Sequence, residues 1–165
     1  MNQNAQMTTA KSVRFERLLP GPIERVWEHL TETKLLLGWF GEGVIEHHSG
    51  GEVRLMDGHV RGVVTQWRPP RRLAYTWNVS DPGEDISHYP ESYLTFELEP
   101  RGKDVLLTLT HVPILDRFEK QNAMGWHTFL DMLADAVRGS APEPRNVHMK
   151  RNAERYGVDL ANLGR

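Results

Sequence analysis

The segment GWHTFLDMLADAVRG, Gly125–Gly139, most limits what this chain can become. Trp126, Phe129, Leu130, Leu133, Ala134 and Val137 recur at helical spacing and make one wide apolar stripe. Gly139 stands where such a helix would stop. The stripe must be covered. Whether it meets a solid core or the wall of a cavity decides what the protein can do.

Upstream the pattern changes period. In SVRFERLL, Val13, Phe15 and Arg17 fall on one face and Arg14, Glu16 and Leu18 on the other, a strand pattern. Pro20, Gly21 and Pro22 end it, and Pro22 suits the first turn of a helix. Ile23, Val26, Trp27 and Leu30 then repeat at helical spacing. Thr31 is expected to start a second short helix through Leu37, closed by Trp39 and Phe40 before Gly41. From Val44 the chain reads as β. Strands are expected at Val44–His48, Glu52–Met56, His59–Trp67, Leu73–Val79, Ser92–Pro100 and Asp104–His111. Ser49-Gly50-Gly51, an Asp57-Gly58 hairpin signal, PPRR and Arg101-Gly102-Lys103 punctuate them. Ser80–Glu91 is a long polar loop, and a helical region runs from about Asp116 to Arg138. Residues 1–10 read as a flexible tail and 11–140 as the domain. Residues 141–165 read as an extension, with a short helix expected at VHMKRNAERYG.

Runs of strands beside segregated helices argue an α+β fold. An antiparallel sheet with one apolar face needs a cover, and only the C-terminal helix is long enough to provide it. A curved antiparallel sheet of about six strands therefore wraps that helix, with the two short helices after the first strand plugging one end.

Composition removes several function classes. The 165 residues carry a formal net charge of −2, which gives no electrostatic reason to expect nucleic acid. With 0 cysteines there is no disulfide, thiolate or cysteine–zinc chemistry. No apolar run is long enough to span a bilayer. The polar start MNQNAQMTTAK has no secretory h-region, so a cytoplasmic protein is expected.

Five segments in this order resemble the START-like, helix-grip (SRPBCC) superfamily, in its branch named after the activator of a heat-shock chaperone ATPase. They are PGPIERVWEHLTETKLLLGWF, GGEVRLMDG, RGVVTQWRPPRRLAYTW, ESYLTFELEP and GWHTFLDMLADAVRG. The resemblance spans about Val13 to Gly139. It implies a sheet gripping the last helix with a pocket between them, and far less about activity, since one fold hosts many functions.

On that fold the concave face would carry Val53, Leu55, Leu73, Tyr75, Trp77, Leu94, Phe96, Leu98, Leu107 and Leu109. The candidate cavity comprises Trp39, Phe40, Val53, Leu55, Tyr75, Trp77, Phe96, Leu107, Leu109, His111, Trp126, Phe129, Leu130 and Leu133. The same residues would serve equally as solid core. His111 falls on the apolar face of its strand and is the one candidate for acid–base work. Its plainer role is a core histidine satisfied by a neighbour. Glu46 and His48 share a strand face, and His59 could join them across a hairpin, yet no third ligand stands at a recognised spacing. No metal or cofactor is expected. Arg68, Arg71 and Arg72 form a small basic cluster, and Asp131 and Asp135 a solvated helix face.

Three functions fit: binding of a small hydrophobic molecule, whether lipid, polyketide-like or aromatic; a protein-interaction module with a chaperone partner; and a cyclase or hydratase acting in the same pocket. The sequence leaves monomer and homodimer both open.

Overall fold

The computed structural model describes every residue except 2, 82, 85, 86, 88, 142, 164 and 165. Four of these lie in the expected Ser80–Glu91 loop, one in the N-terminal tail and three in the C-terminal extension. β1 (Val13–Pro20) leads into α1 (Ile23–Thr31) and α2 (Thr33–Leu36). Six strands follow: β2 (Gly43–Ile45), β3 (Glu52–Leu55), β4 (Val60–Arg68), β5 (Arg72–Val79), β6 (Ser92–Arg101) and β7 (Asp104–Val112). α3 (Glu119–Val137) and α4 (Arg145–Tyr156) follow, and a 3-10 turn, Leu160–Asn162, comes after them.

The seven strands form one antiparallel sheet in the order β1-β7-β6-β5-β4-β3-β2. Register aligns the inward side chains in rows. Phe96 sits opposite Leu73 on one side and Leu109 on the other, and Leu94 opposite Tyr75 and His111. In β7 the alternation is strict: Val105, Leu107, Leu109 and His111 are buried. The ten residues assigned to the concave face point as read from sequence, and all but half-buried Trp77 are buried. They meet Trp126, Leu130, Leu133, Ala134 and Val137 of α3 in one core, joined by Leu30, Leu36, Trp39 and Phe40 from the short helices.

Local boundaries depart from the sequence reading in several places, and β2 stops at Ile45 where the sequence pattern predicts a strand to His48. Thr31 closes α1, with its hydroxyl donating to the Trp27 carbonyl 2.9 Å away, and Glu32 caps α2 instead. The Asp57-Gly58 signal makes a tight left-handed turn over Met56–Gly58, rather than a two-residue hairpin centred on Asp57-Gly58. Met56 (φ 50°) and Asp57 (φ 55°) are themselves left-handed there. The helical region opens as a 3-10 turn, Asp116–Phe118, before α3 proper begins at Glu119.

Gly62 in β4 is required by close approach. A Cβ there would lie 1.8 Å from the Thr76 carbonyl oxygen of β5. The strand instead lets the Val63 amide donate to Thr76 Oγ1 at 2.8 Å, just before a register shift between Val64 and Gln66.

Candidate functional site

The stripe on α3 does two things. Its C-terminal part is sealed into core, where Leu130 is 1 % and Leu133 0 % exposed. Its N-terminal part faces a cavity of about 680 Å³, within the range of small-molecule pockets. The local sequence explains the split. Between Glu119 and Gly125 only Met124 is a large apolar residue, and Gly125 offers no side chain. A Cβ at Gly125 would meet nothing within 4 Å. That end of the sheet is left uncovered by bulk.

Trp77 and Val79 of β5, Ser92 of β6 and His111 of β7 form the floor. Gln121, Asn122, Gly125, Trp126 and Phe129 of α3 form one wall. Pro113, Ile114, Leu115 and Phe118 close one side, Tyr89 and Pro90 another, and His59, Asp81 and Leu163 complete the boundary. The aromatic rings pack against one another: Trp77 and Trp126 centroids are 5.2 Å apart, and Trp126 and Phe129 5.9 Å.

Of the fourteen candidate cavity residues, Trp77, His111, Trp126 and Phe129 line this space. Trp39, Phe40, Val53, Leu55, Tyr75, Phe96, Leu107, Leu109, Leu130 and Leu133 do not. Each is at most 1 % exposed and packs in the continuous core. Trp39 and Phe40 are therefore not a rim. Trp39 Nε1 donates to the His29 carbonyl at 2.8 Å, and Phe40 supports the wall from behind, 4.7 Å from Phe129 between centroids. The sequence reading missed His59, Val79, Asp81, Tyr89, Ile114, Leu115, Phe118 and Leu163, mostly on connecting segments with no period to read. It also missed Gly125. A glycine inside a helical pattern was the available signal.

His111 is 2 % exposed and fully engaged. Trp126 Nε1 donates to its Nδ1 at 3.0 Å. The indole can only donate, so Nδ1 is the acceptor and the proton of the neutral ring sits on Nε2. Nε2 then donates to Ser92 Oγ at 2.7 Å, and Ser92 Oγ donates to the Trp77 carbonyl at 3.3 Å. Burial lowers the His111 pKa to about 4. The ring offers neither a free lone pair nor a free proton at neutral pH, so acid–base work is not what this geometry equips it for.

The other histidines are dispersed. His47 stacks on Trp67 at 4.9 Å and bonds the Thr31 carbonyl. His48 lies 3.7 Å from Glu46 at the surface. His59 bonds the Ser80 carbonyl at the cavity boundary and does not join them. Among the described residues no group of three His, Asp or Glu side chains is placed to hold a metal ion. In the arginine cluster, Arg72 is held by Gln66 and Glu97, while Arg68 and Arg71 are exposed.

Asp131 and Asp135 are not a solvated face, because α4 lies across it. Asn152, 0 % exposed, donates to Thr128 Oγ1 at 3.1 Å and to Asp131 Oδ2 at 3.4 Å. Buried His148 faces Asp135 at 3.8 Å, and His127 bonds the Tyr156 hydroxyl at 2.8 Å. At the start of α4, Arg145 donates to the Phe40 carbonyl at 2.9 Å and lies 4.9 Å over the ring of Phe129. The extension thus reaches the cavity wall from outside.

Residues 20–138 match the family described as Activator of Hsp90 ATPase homolog 1-like protein. Among solved structures, CalU16 from Micromonospora echinospora is 26% identical, with 90% of this chain and 87% of that one covered and a TM-score of 0.72. The protein encoded by gene BPP1335 from Bordetella parapertussis is 30% identical over 96% of this chain and 93% of its own, with a TM-score of 0.71. An HSP90 activator from Plasmodium falciparum, PFC0360w, shares the fold at 21% identity, over 78% of this chain and 96% of that one, with a TM-score of 0.64. No curated protein matches the sequence. Among the described residues no helix is long and apolar enough to cross a membrane.

Proposed function

The chain belongs to the Activator of Hsp90 ATPase homolog 1-like family, and from that premise we propose that it binds a small hydrophobic molecule between β5–β7 and the N-terminal half of α3. The observation that carries this reading is the cavity of about 680 Å³, walled by Trp77, Trp126, Phe129, Phe118, Ile114 and Leu115. Burying apolar ligand surface there contributes roughly 25 cal/mol per Å², and the few polar groups at its boundary would orient the guest. The engaged state of His111 favours binding over turnover.

Native mass spectrometry of freshly purified protein, followed by solvent extraction, tests it. A discrete adduct that is absent from a Gly125→Leu variant supports the cavity as the site. An adduct retained unchanged in a folded Gly125→Leu protein places the ligand elsewhere and overturns the proposal.

A second, compatible reading concerns the surface. Arg68 and Arg71 flank the β4–β5 turn, exposed and, among the described residues, without an ion-pair partner. They suit an acidic protein surface, and the family description makes a chaperone the first partner to try. Capture at low salt that is lost in Arg68→Glu/Arg71→Glu would support this; no retention of the wild type would count against it.

A further inference from the structure

The proposed ligand site has a polarity of its own. No lysine or arginine lines the cavity among the described residues. Arg117, beside it, stacks on Phe118 at 4.7 Å and Tyr89 at 5.6 Å without joining the lining. Among the described residues the one charged lining side chain is the exposed carboxylate of Asp81. A carboxylate guest would meet the like charge of Asp81 and, among the described lining residues, no lysine or arginine, and a buried unpaired charge is strongly disfavoured. At the inner end, both nitrogens of His111 are already bonded, and Gln121 and Asn122 supply only uncharged amides.

His59 supplies what is missing. Its backbone carbonyl accepts from the Ser80 amide at 2.9 Å, and its ring Nδ1 lies 3.0 Å from the Ser80 carbonyl. A carbonyl only accepts, so Nδ1 carries the proton and the neutral ring presents Nε2 as an acceptor. His59 is exposed, and among the described residues its Nε2 makes no hydrogen bond. His59 and Asp81, both exposed lining residues, thus put an imidazole acceptor and a carboxylate at the boundary of an aromatic chamber.

We propose that His59 and Asp81 make this cavity selective for uncharged aromatic molecules bearing a hydroxyl or N–H donor, and against carboxylates. This deepens the small-ligand reading and rests on it. Rings would lie among Trp77, Trp126 and Phe129, with the donor turned towards His59.

Four probes of similar reach separate the possibilities by isothermal titration calorimetry: 2-naphthol, 2-methoxynaphthalene, 2-naphthoate and decanoate. The expected order places 2-naphthol first, about tenfold tighter than its methyl ether, the worth of one hydrogen bond between otherwise equal rings. The two carboxylates should bind weaker still. His59→Leu should erase the preference for naphthol over its ether, and His59→Gln, which keeps an acceptor, should restore part of it. Equal binding of naphthol and its ether overturns the selectivity while leaving the cavity reading intact. So does a preference that survives His59→Leu, or a carboxylate that binds best. Failure of all four probes to bind overturns both readings.

Discussion

Trp126 Nε1 donates to His111 Nδ1 across 3.0 Å, and this one bond fixes the tautomer and charge of the buried histidine. With its pKa held near 4 by burial, against about 6.5 in an unfolded chain, His111 binds a proton in the unfolded state first. Its contribution to stability is therefore complete above about pH 6.5 and is lost as pH falls towards 4, by about 3 kcal/mol in all. Urea melts between pH 7.5 and 4.5 should show this slope. His111→Gln, which cannot titrate, should flatten it while lowering stability at neutral pH. Some slope should remain, because burial also depresses the pKa of His127, aided by Arg17 and Arg155 and opposed by Asp131. An unchanged slope in the variant would assign the acid sensitivity elsewhere.

Trp126→Phe separates the bond from the ring. It keeps aromatic packing against Trp77 and leaves His111 Nδ1 buried without a donor. A loss of about 1–3 kcal/mol is expected, read as a lower urea midpoint with an unchanged m-value. A neutral outcome would show that the indole N–H is not holding the histidine.

Gly125 and Leu130 are five residues apart on α3 and should respond in opposite ways to enlargement. Gly125→Ala meets no neighbour within 4 Å and removes a helix-interior glycine, so it should stabilise by about 0.5–1 kcal/mol. Gly125→Leu should also fold, and should occupy the cavity. Leu130→Trp and Leu133→Trp act on positions at most 1 % exposed. They overpack the core, at a cost of about 1–3 kcal/mol or more, and do not plug a pocket. Melting temperatures for the four variants check the ordering.

These contrasts show what was legible in the chain. Period-2 alternation put Leu94, Phe96, Leu107 and Leu109 on the buried face, because a strand offers a side chain only two directions. Helical spacing likewise found the stripe from Trp126 to Val137. Neither period says where a covered face ends in a wall and where in a void. That depends on bulk at the few positions lining a gap, here Gly125, where an added Cβ would meet nothing within 4 Å. The boundary residues His59, Asp81 and Tyr89 lie on turns and loops, where no repeat marks direction. Asp131 and Asp135 looked solvated because their cover, α4, arrives later in sequence and brings polar partners such as Asn152 rather than an apolar stripe.

Gly62→Ala tests a close backbone approach between β4 and β5. The added methyl would lie 1.8 Å from the Thr76 carbonyl oxygen and 2.7 Å from its carbon. Backbone atoms cannot swing aside, so β4 and β5 must separate locally. A loss of about 3–5 kcal/mol is expected. Gly83→Ala is no suitable control, because Gly83 has a positive φ of 84°. Gly125→Ala is the fair one. A Gly62→Ala protein as stable as wild type would mean that the β4–β5 register tolerates a shift.

Arg145 ties the extension to the site. Its guanidinium donates to the Phe40 carbonyl at 2.9 Å and covers the Phe129 ring at 4.9 Å. Arg145→Met keeps an apolar stem over the ring and removes the hydrogen bond and the cation–π contact, together worth about 1–3 kcal/mol. Asn152→Ala removes the link from α4 to Thr128 and Asp131 at the other end of the same contact. If α4 is held at both points, either variant should speed amide exchange across Arg145–Tyr156, and the pair should not be additive. Only Arg145→Met should also loosen the cavity wall, seen as faster exchange around Phe129 and weaker binding of 2-methoxynaphthalene. Equal effects of both variants at the wall would mean that α4 steadies the cavity as a whole helix rather than through its first residue.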